Sequence, residues 1–225
     1  MNAAPTSQWT RVFGTVTFSS TGSTQFTLPY YDAPAGCILD IYGPQLEAGS
    51  FPTSYIPTGS ATVTRAEDSA YVIGNNFTPW FNNGEGTIYS DTTIVGLQGS
   101  AFPALFVLAN SDPNVTNLGV GVNTATGAYF SSGWIAGTIQ YNINFGSGAV
   151  AGGSARNIVG YSQNDFAASS NAGTVGTASS GNIAPFDRFL IGGQATYQPK
   201  INAWYKKVAY YPQRVTNAQL QALTS

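Results

Sequence analysis

Residues 104–130 read ALFVLANSDPNVTNLGVGVNTATGAYF, and this stretch decides the fold. It breaks into three short apolar runs, Ala104 to Ala109, Leu118 to Asn123 and Ala128 to Phe130, parted by turns rich in Asn, Asp, Pro and Gly. No helical period runs through it, so it predicts short strands joined by tight turns. The same pattern continues outward. Upstream lie Tyr71 to Ile73 and Gly86 to Val95; downstream lie Trp134 to Phe145, Ala155 to Tyr161, Phe166 to Ser170, Phe189 to Gly192 and Ile201 to Tyr211. Many short strands at such spacing predict an all-β antiparallel sandwich or jelly roll over residues 70–225. One short C-terminal helix is expected, because Thr216 can cap the Gly- and Pro-free turn Asn217 to Leu223, with Leu220 and Leu223 holding it to a sheet.

The composition agrees. Only 8% of the 225 residues are charged, against about a quarter in ordinary domains. Ser, Thr, Asn and 26 Gly supply the polarity, while 13% aromatic residues supply more apolar surface than a disordered chain carries. A net charge of −2, with eight basic residues scattered along the chain, gives no cationic stripe for nucleic acid or an anionic bilayer. No apolar run approaches the roughly 20 residues of a membrane helix, and Met1 to Gln8 lack the regions of a signal peptide. The single Cys37 begins a run to Ile41 that reads as a strand burying the thiol.

Ahead of the sandwich, Val12, Gly14, Val16 and Phe18, then Phe26, Leu28 and Tyr30, alternate with polar residues and predict two strands. A third is expected from Ile38 to Tyr42, ended by Gly43-Pro44. Pro52 and Pro57 then stiffen a strap anchored by Tyr55 and Ile56. The expected organisation is a partial jelly-roll module and strap over 1–58, a connector over 59–69 and the sandwich over 70–225.

Two segments carry a resemblance. Residues 43–58, GPQLEAGSFPTSYIPT, followed by Val63-Thr64-Arg65-Ala66-Glu67-Asp68, resemble a recurrent element of bacteriophage tail-fibre and structural proteins, where it closes a carbohydrate-binding-module-like jelly roll. Trp80 to Thr87, and Asn202 through Tyr210-Tyr211-Pro212-Gln213-Arg214 to Thr224, look like the concanavalin A-like (laminin G-like) lectin domain that follows it in those proteins. The resemblance frames residues 9–225 except for roughly 96–150, and the first module is shorter than the family's. It implies a tail-fibre or receptor-binding protein on the virion surface, made in the host cytoplasm. Its partners would be a host surface glycan and other virion proteins, in a homotrimer. The same resemblance leaves open a structural or head-decoration protein using the lectin fold for assembly; a glycan hydrolase is the third reading.

The chemistry favours binding. With no His, the usual general base and zinc ligand are missing. A glycosidase needs only two carboxyl groups about 5 to 10 Å apart, but the strand-borne Glu-x-Asp-x-x-Glu set of sandwich glycosidases does not occur, and Glu47, Glu67 and Glu85 fall in or near turns. An enzyme is not expected. Neutral sugars are held by aromatic faces flanked by amides and carboxylates. The expected site is therefore Tyr129, Trp134 and Tyr197 for stacking, with Asn110, Asp112 and Gln194 for hydrogen bonding, all near turns at one end of the sandwich. Trp80 and Trp204 are expected in the core. No cofactor is required; Ca2+ at Asn110 to Asn114 competes with an Asx-turn formed by the same residues.

Overall fold

The computed structural model describes residues 9–14, 16, 36, 38, 40–48, 52–64, 68–97, 102–193 and 201–225. The chain divides into two compact units, Met1–Ala66 and Glu67–Ser225.

The second unit is the sandwich. Its strands are β1 (Ala70–Ile73), β2 (Glu85–Gly96), β3 (Ala104–Ala109), β4 (Asn117–Asn123), β5 (Ala128–Ile135), β6 (Thr138–Phe145), β7 (Ser154–Ser162), β8 (Asp165–Ser170), β9 (Gly176–Ala178), β10 (Arg188–Ile191) and β11 (Asn202–Tyr211). Sheet one runs β1-β10-β3-β4-β5-β6 and sheet two β11-β2-β7-β8-β9. All pairings are antiparallel. Because successive side chains point to opposite faces, one face of each strand meets the other sheet. Phe106, Leu108, Leu118, Val120, Val122, Ile143 and Phe145 from sheet one thus share a core with Ile88, Ile94, Val159, Tyr161 and Phe166 from sheet two. Tyr141 and Phe166 stack with ring centroids 4.0 Å apart. Burying apolar side chains of this size contributes about 1.5–3 kcal/mol each, and the same inward faces also carry the buried polar residues Ser90, Thr92, Ser131 and Asn157.

The helix α1 (Asn217–Leu223) covers part of sheet two's outer face. Its capping box is complete: Gln219 N–H donates to Thr216 Oγ1 at 3.3 Å, and Thr216 N–H donates to Gln219 Oε1 at 2.8 Å. Leu220 is buried against Tyr89, Ile158, Ala167 and Val215. Leu223, expected to share that task, stays partly open to solvent at 37%.

Several expectations change. Trp134 to Phe145 is not one strand but two, because Ala136 and Gly137 take positive φ values of 49° and 77° and reverse the chain. The short strand β9, in a stretch with little apolar pattern, was not anticipated. In the first unit, the described residues of the expected strands, namely 11–14, 16, 38 and 40–42, form no strand. Ile38 and Ile41 are exposed rather than buried; Cys37 and most of residues 17–37 lie outside the described residues.

What holds the strap is polar. Glu47 accepts from the Thr53 N–H and hydroxyl, both at 2.6 Å, and Gln45 Oε1 accepts the Ile56 N–H at 2.8 Å. The Thr53 hydrogen bond holds the Glu47 carboxyl below its ordinary pKa. Gly43, at φ +61°, lies under the Tyr55 ring, where a Cβ would come within 2.9 Å of Cε2. Only glycine suits both the backbone and the space.

Candidate functional site

Sheet one has an outer face, and its β5–β6 half combines aromatic and amide groups. By register, Phe130, Ser132 and Trp134 stand in file on β5. Across the pair they meet Asn144, Asn142 and Ile139 of β6; across the other pair they meet Gly121, Gly119 and Asn117 of β4. Both rings are half-buried, while Asn142 and Asn144 are exposed. The ring of Phe130 lies over Gly121, whose Cβ, if present, would come within 2.7 Å of Cζ. Phe102 closes on Phe130 edge-on at 5.7 Å. Trp134 and Phe130 are four residues apart on one strand face, so about 13 Å separates them. None of the six β5 and β6 side chains is charged. Flat apolar rings beside amides that both donate and accept suit an uncharged ligand with C–H faces and hydroxyls.

The structure brings together three of the six expected residues. The Asn110–Thr116 loop lies against the β5–β6 turn: Gly137 N–H donates to Val115 O at 2.9 Å, and Ala136 N–H to Thr116 Oγ1 at 3.1 Å. Asn110 and Asp112 therefore sit at the same end of sheet one as Trp134. Their side chains cap the loop itself, Asn110 Oδ1 accepting from Asp112 N–H at 2.9 Å and Asp112 Oδ1 from Asn114 N–H at 3.1 Å. This is the Asx-turn arrangement. Among the described residues, no three His, Cys, Asp or Glu side chains converge as metal ligands.

Tyr129 must be removed from the set. It lies near the start of β5, at the opposite end from Trp134, points into the core and is 1% exposed, with Phe145 stacked on it at 6.4 Å. Burial raises its phenol pKa. The reason is parity: Tyr129 and Phe130 must face opposite ways, and Phe130 is outside. Gln194 and Tyr197 lie outside the described residues. Phe130, Ser132, Asn142 and Asn144 were missed, although Asn142-Ile143-Asn144 carries the alternation that places its amides on the wet face.

The two tryptophans expected in the core are also placed differently. Trp80 lies in a turn rather than a strand, 40% exposed, with its indole N–H donating to Asn76 O at 2.6 Å and its ring 5.1 Å from Tyr210. It borders an apolar cavity of about 320 Å³ between Val72, Phe189, Ile191 and Val208. Trp204 is on β11 but points outward, 71% exposed.

On β2 the two carboxylates, Glu85 and Asp91, are well separated. Glu85 Oε2 accepts Arg214 N–H at 3.0 Å. Asp91 lies six residues along the same strand, about 20 Å away by strand rise.

No family model matches the chain, and no curated protein matches it. Solved structures do. The CBM40 of the Ruminococcus gnavus IT-sialidase, bound to α2,6-sialyllactose, superposes with a TM-score of 0.51 at 14% identity, covering 64% of this chain and 85% of that one. The same module bound to α2,3-sialyllactose gives 0.51 at 15% identity, covering 64% and 84%. A leech intramolecular trans-sialidase gives 0.51 at 12% identity, covering 64% of this chain and 23% of the enzyme. These likenesses establish the sandwich fold.

Proposed function

We propose that this chain is a non-catalytic glycan-recognition protein of a phage virion surface, a tail-fibre or receptor-binding part whose sandwich grips host carbohydrate across the β5–β6 face. The observation that carries the reading is the uncharged file Phe130–Ser132–Trp134 flanked by Asn142 and Asn144. Its support is the fold shared with the sialyllactose-bound CBM40 modules and the sequence resemblance of residues 43–68 and 202–224 to phage fibre proteins. A stacked ring and a directional hydrogen bond each contribute about 1 kcal/mol, so one site binds weakly and a trimer gains through multivalency.

The experiment is a glycan array with wild type and Trp134→Ala, paired with a phage adsorption assay. The substitution is expected to lower array signal and adsorption about five- to tenfold while circular dichroism stays that of the native sandwich. Equal signal from the variant refutes the site. A virion map placing the chain on the capsid shell, away from host glycan, refutes the receptor-binding role and makes it a decoration protein.

A further inference from the structure

Sheet two also has an outer face, and α1 covers part of it, over Tyr89, Ile158 and Ala167. Beyond the helix two rows cross the strands. Trp204, Thr93 and Ser154 are cross-strand neighbours, with the two hydroxyls 2.6 Å apart. Next to them run Lys207, Asp91 and Arg156, flanked by Asn171, whose Oδ1 accepts the Arg156 N–H at 2.9 Å. Rows of one strand face are about 7 Å apart and strands about 4.8 Å, so one sugar ring spans from the first row to the second.

The charge is concentrated. β11 carries a β-bulge between Tyr205 and Lys207. A bulge sets two residues against one, so consecutive Lys206 and Lys207 both reach solvent where a regular strand would turn one inward. Arg156 and Lys206 line one depression with Asp91, and Lys207 is Asp91's cross-strand neighbour, so three of the chain's eight basic residues stand on this part of the face. Arg156 Nε is 3.7 Å from Asp91, and its Nη1 donates to Ser225 O. Among the described residues neither lysine forms an ion pair; Lys207 Nζ instead lies 5.7 Å from the centroid of the Tyr89 ring. Elsewhere in the sandwich, Arg188 and Arg214 are matched by Asp187 and Asp165 at 2.6 and 3.1 Å.

We infer that this shelf is a second saccharide site, selective for sugars that bear a carboxylate. It rests on the glycan-binding reading for the class of ligand but not on the β5–β6 face. Trp204 offers an open indole to the C–H face of the ring. Thr93, Ser154 and Asp91 take its hydroxyls, and Lys206, Lys207 and Arg156 hold the carboxylate. A neutral glycan gains nothing from the cations. Being exposed, their attraction weakens with salt.

The test is saturation-transfer and titration NMR on the full chain with two matched pairs, α2,6-sialyllactose against lactose and trigalacturonate against galactotriose. The expected result is a preference of about tenfold for each charged member at low salt. That preference should be lost in Trp204→Ala and in the Lys206→Gln/Lys207→Gln double variant, and reduced severalfold at about 0.5 M NaCl. All three positions are exposed, so the variants are expected to fold, and circular dichroism verifies it. Equal binding of charged and neutral members, or a preference that survives both variants, overturns the shelf. If neutral sugars bind and Trp134→Ala abolishes that binding while no charge preference exists, the glycan reading stands and this inference alone fails. If the charged sugars do not bind at all, the inference also fails.

Discussion

At the level of single residues, two kinds of position are decided by close approach. Gly86 on β2 lies under two rings: a Cβ there would come within 2.5 Å of the Tyr161 hydroxyl and 2.8 Å of Tyr210 Cε2. Gly86→Ala must push apart rings whose hydroxyls both bond to Asn82, so it is expected to destabilise by about 1–3 kcal/mol. Urea denaturation measures this, and a wild-type midpoint would show that the rings give way freely. The buried tyrosines set a pH limit. Burial raises the pKa of Tyr141, Tyr161 and Tyr205, and Tyr141 also shares a 2.9 Å bond with Ser131. In the unfolded chain these phenols ionise near pH 10, while in the fold they stay neutral. Their contribution is thus fully present below about pH 10 and is lost as pH rises above it. The urea midpoint should be level from pH 7 to 9 and fall by pH 11; a midpoint unchanged at pH 11 contradicts the assignment.

Among the elements, α1 separates what an amphipathic pattern suggests from what the packing uses. Leu220 and Leu223 are three apart and read as one stripe. Only Leu220 enters the pocket of Tyr89, Ile158, Ala167 and Val215. The helix stops at Thr224, which turns its hydroxyl to Leu220 O at 3.1 Å and accepts Ala172 N–H at 3.0 Å, leaving Leu223 at the rim. Leu220→Ala is expected to cost about 2–4 kcal/mol and Leu223→Ala less than about 1 kcal/mol, compared by equilibrium denaturation. Equal losses would mean that the two leucines anchor the helix jointly. The strand limits tell a similar story. Short runs bounded by turn residues, such as β3 and β8, were placed within a residue or so, whereas the β5–β6 reversal was missed. Ala136-Gly137 is not a strong turn signal, and the flanking residues continue one apolar-polar pattern through it.

Across the whole molecule, the second unit encloses its own core, with both sheets and the helix drawn from Glu67–Ser225. Residues 67–225 expressed alone should therefore unfold in one cooperative transition with a β-type circular dichroism spectrum. A non-cooperative melt would show that the sandwich depends on the first unit. Size-exclusion chromatography with light scattering of the full chain tests the proposed trimer; a monomer at micromolar concentration removes multivalency from the binding argument.

The sequence alone determined the class of the molecule. Low charge, abundant β-branched and aromatic residues and turn residues every few positions admit little besides an antiparallel sandwich, because these are local preferences that act on each segment separately. It also determined the capped helix, whose signal lies within a few residues. Which aromatic rings face solvent was decided only by the tertiary structure. The parity that buries Tyr129 and bares Phe130 depends on where β5 begins, and the exposure of Trp204 depends on which face of β11 meets sheet one. A strand pattern is unchanged by turning it over, so an aromatic ring in it belongs to the core or to a site only once the facing sheet is in place.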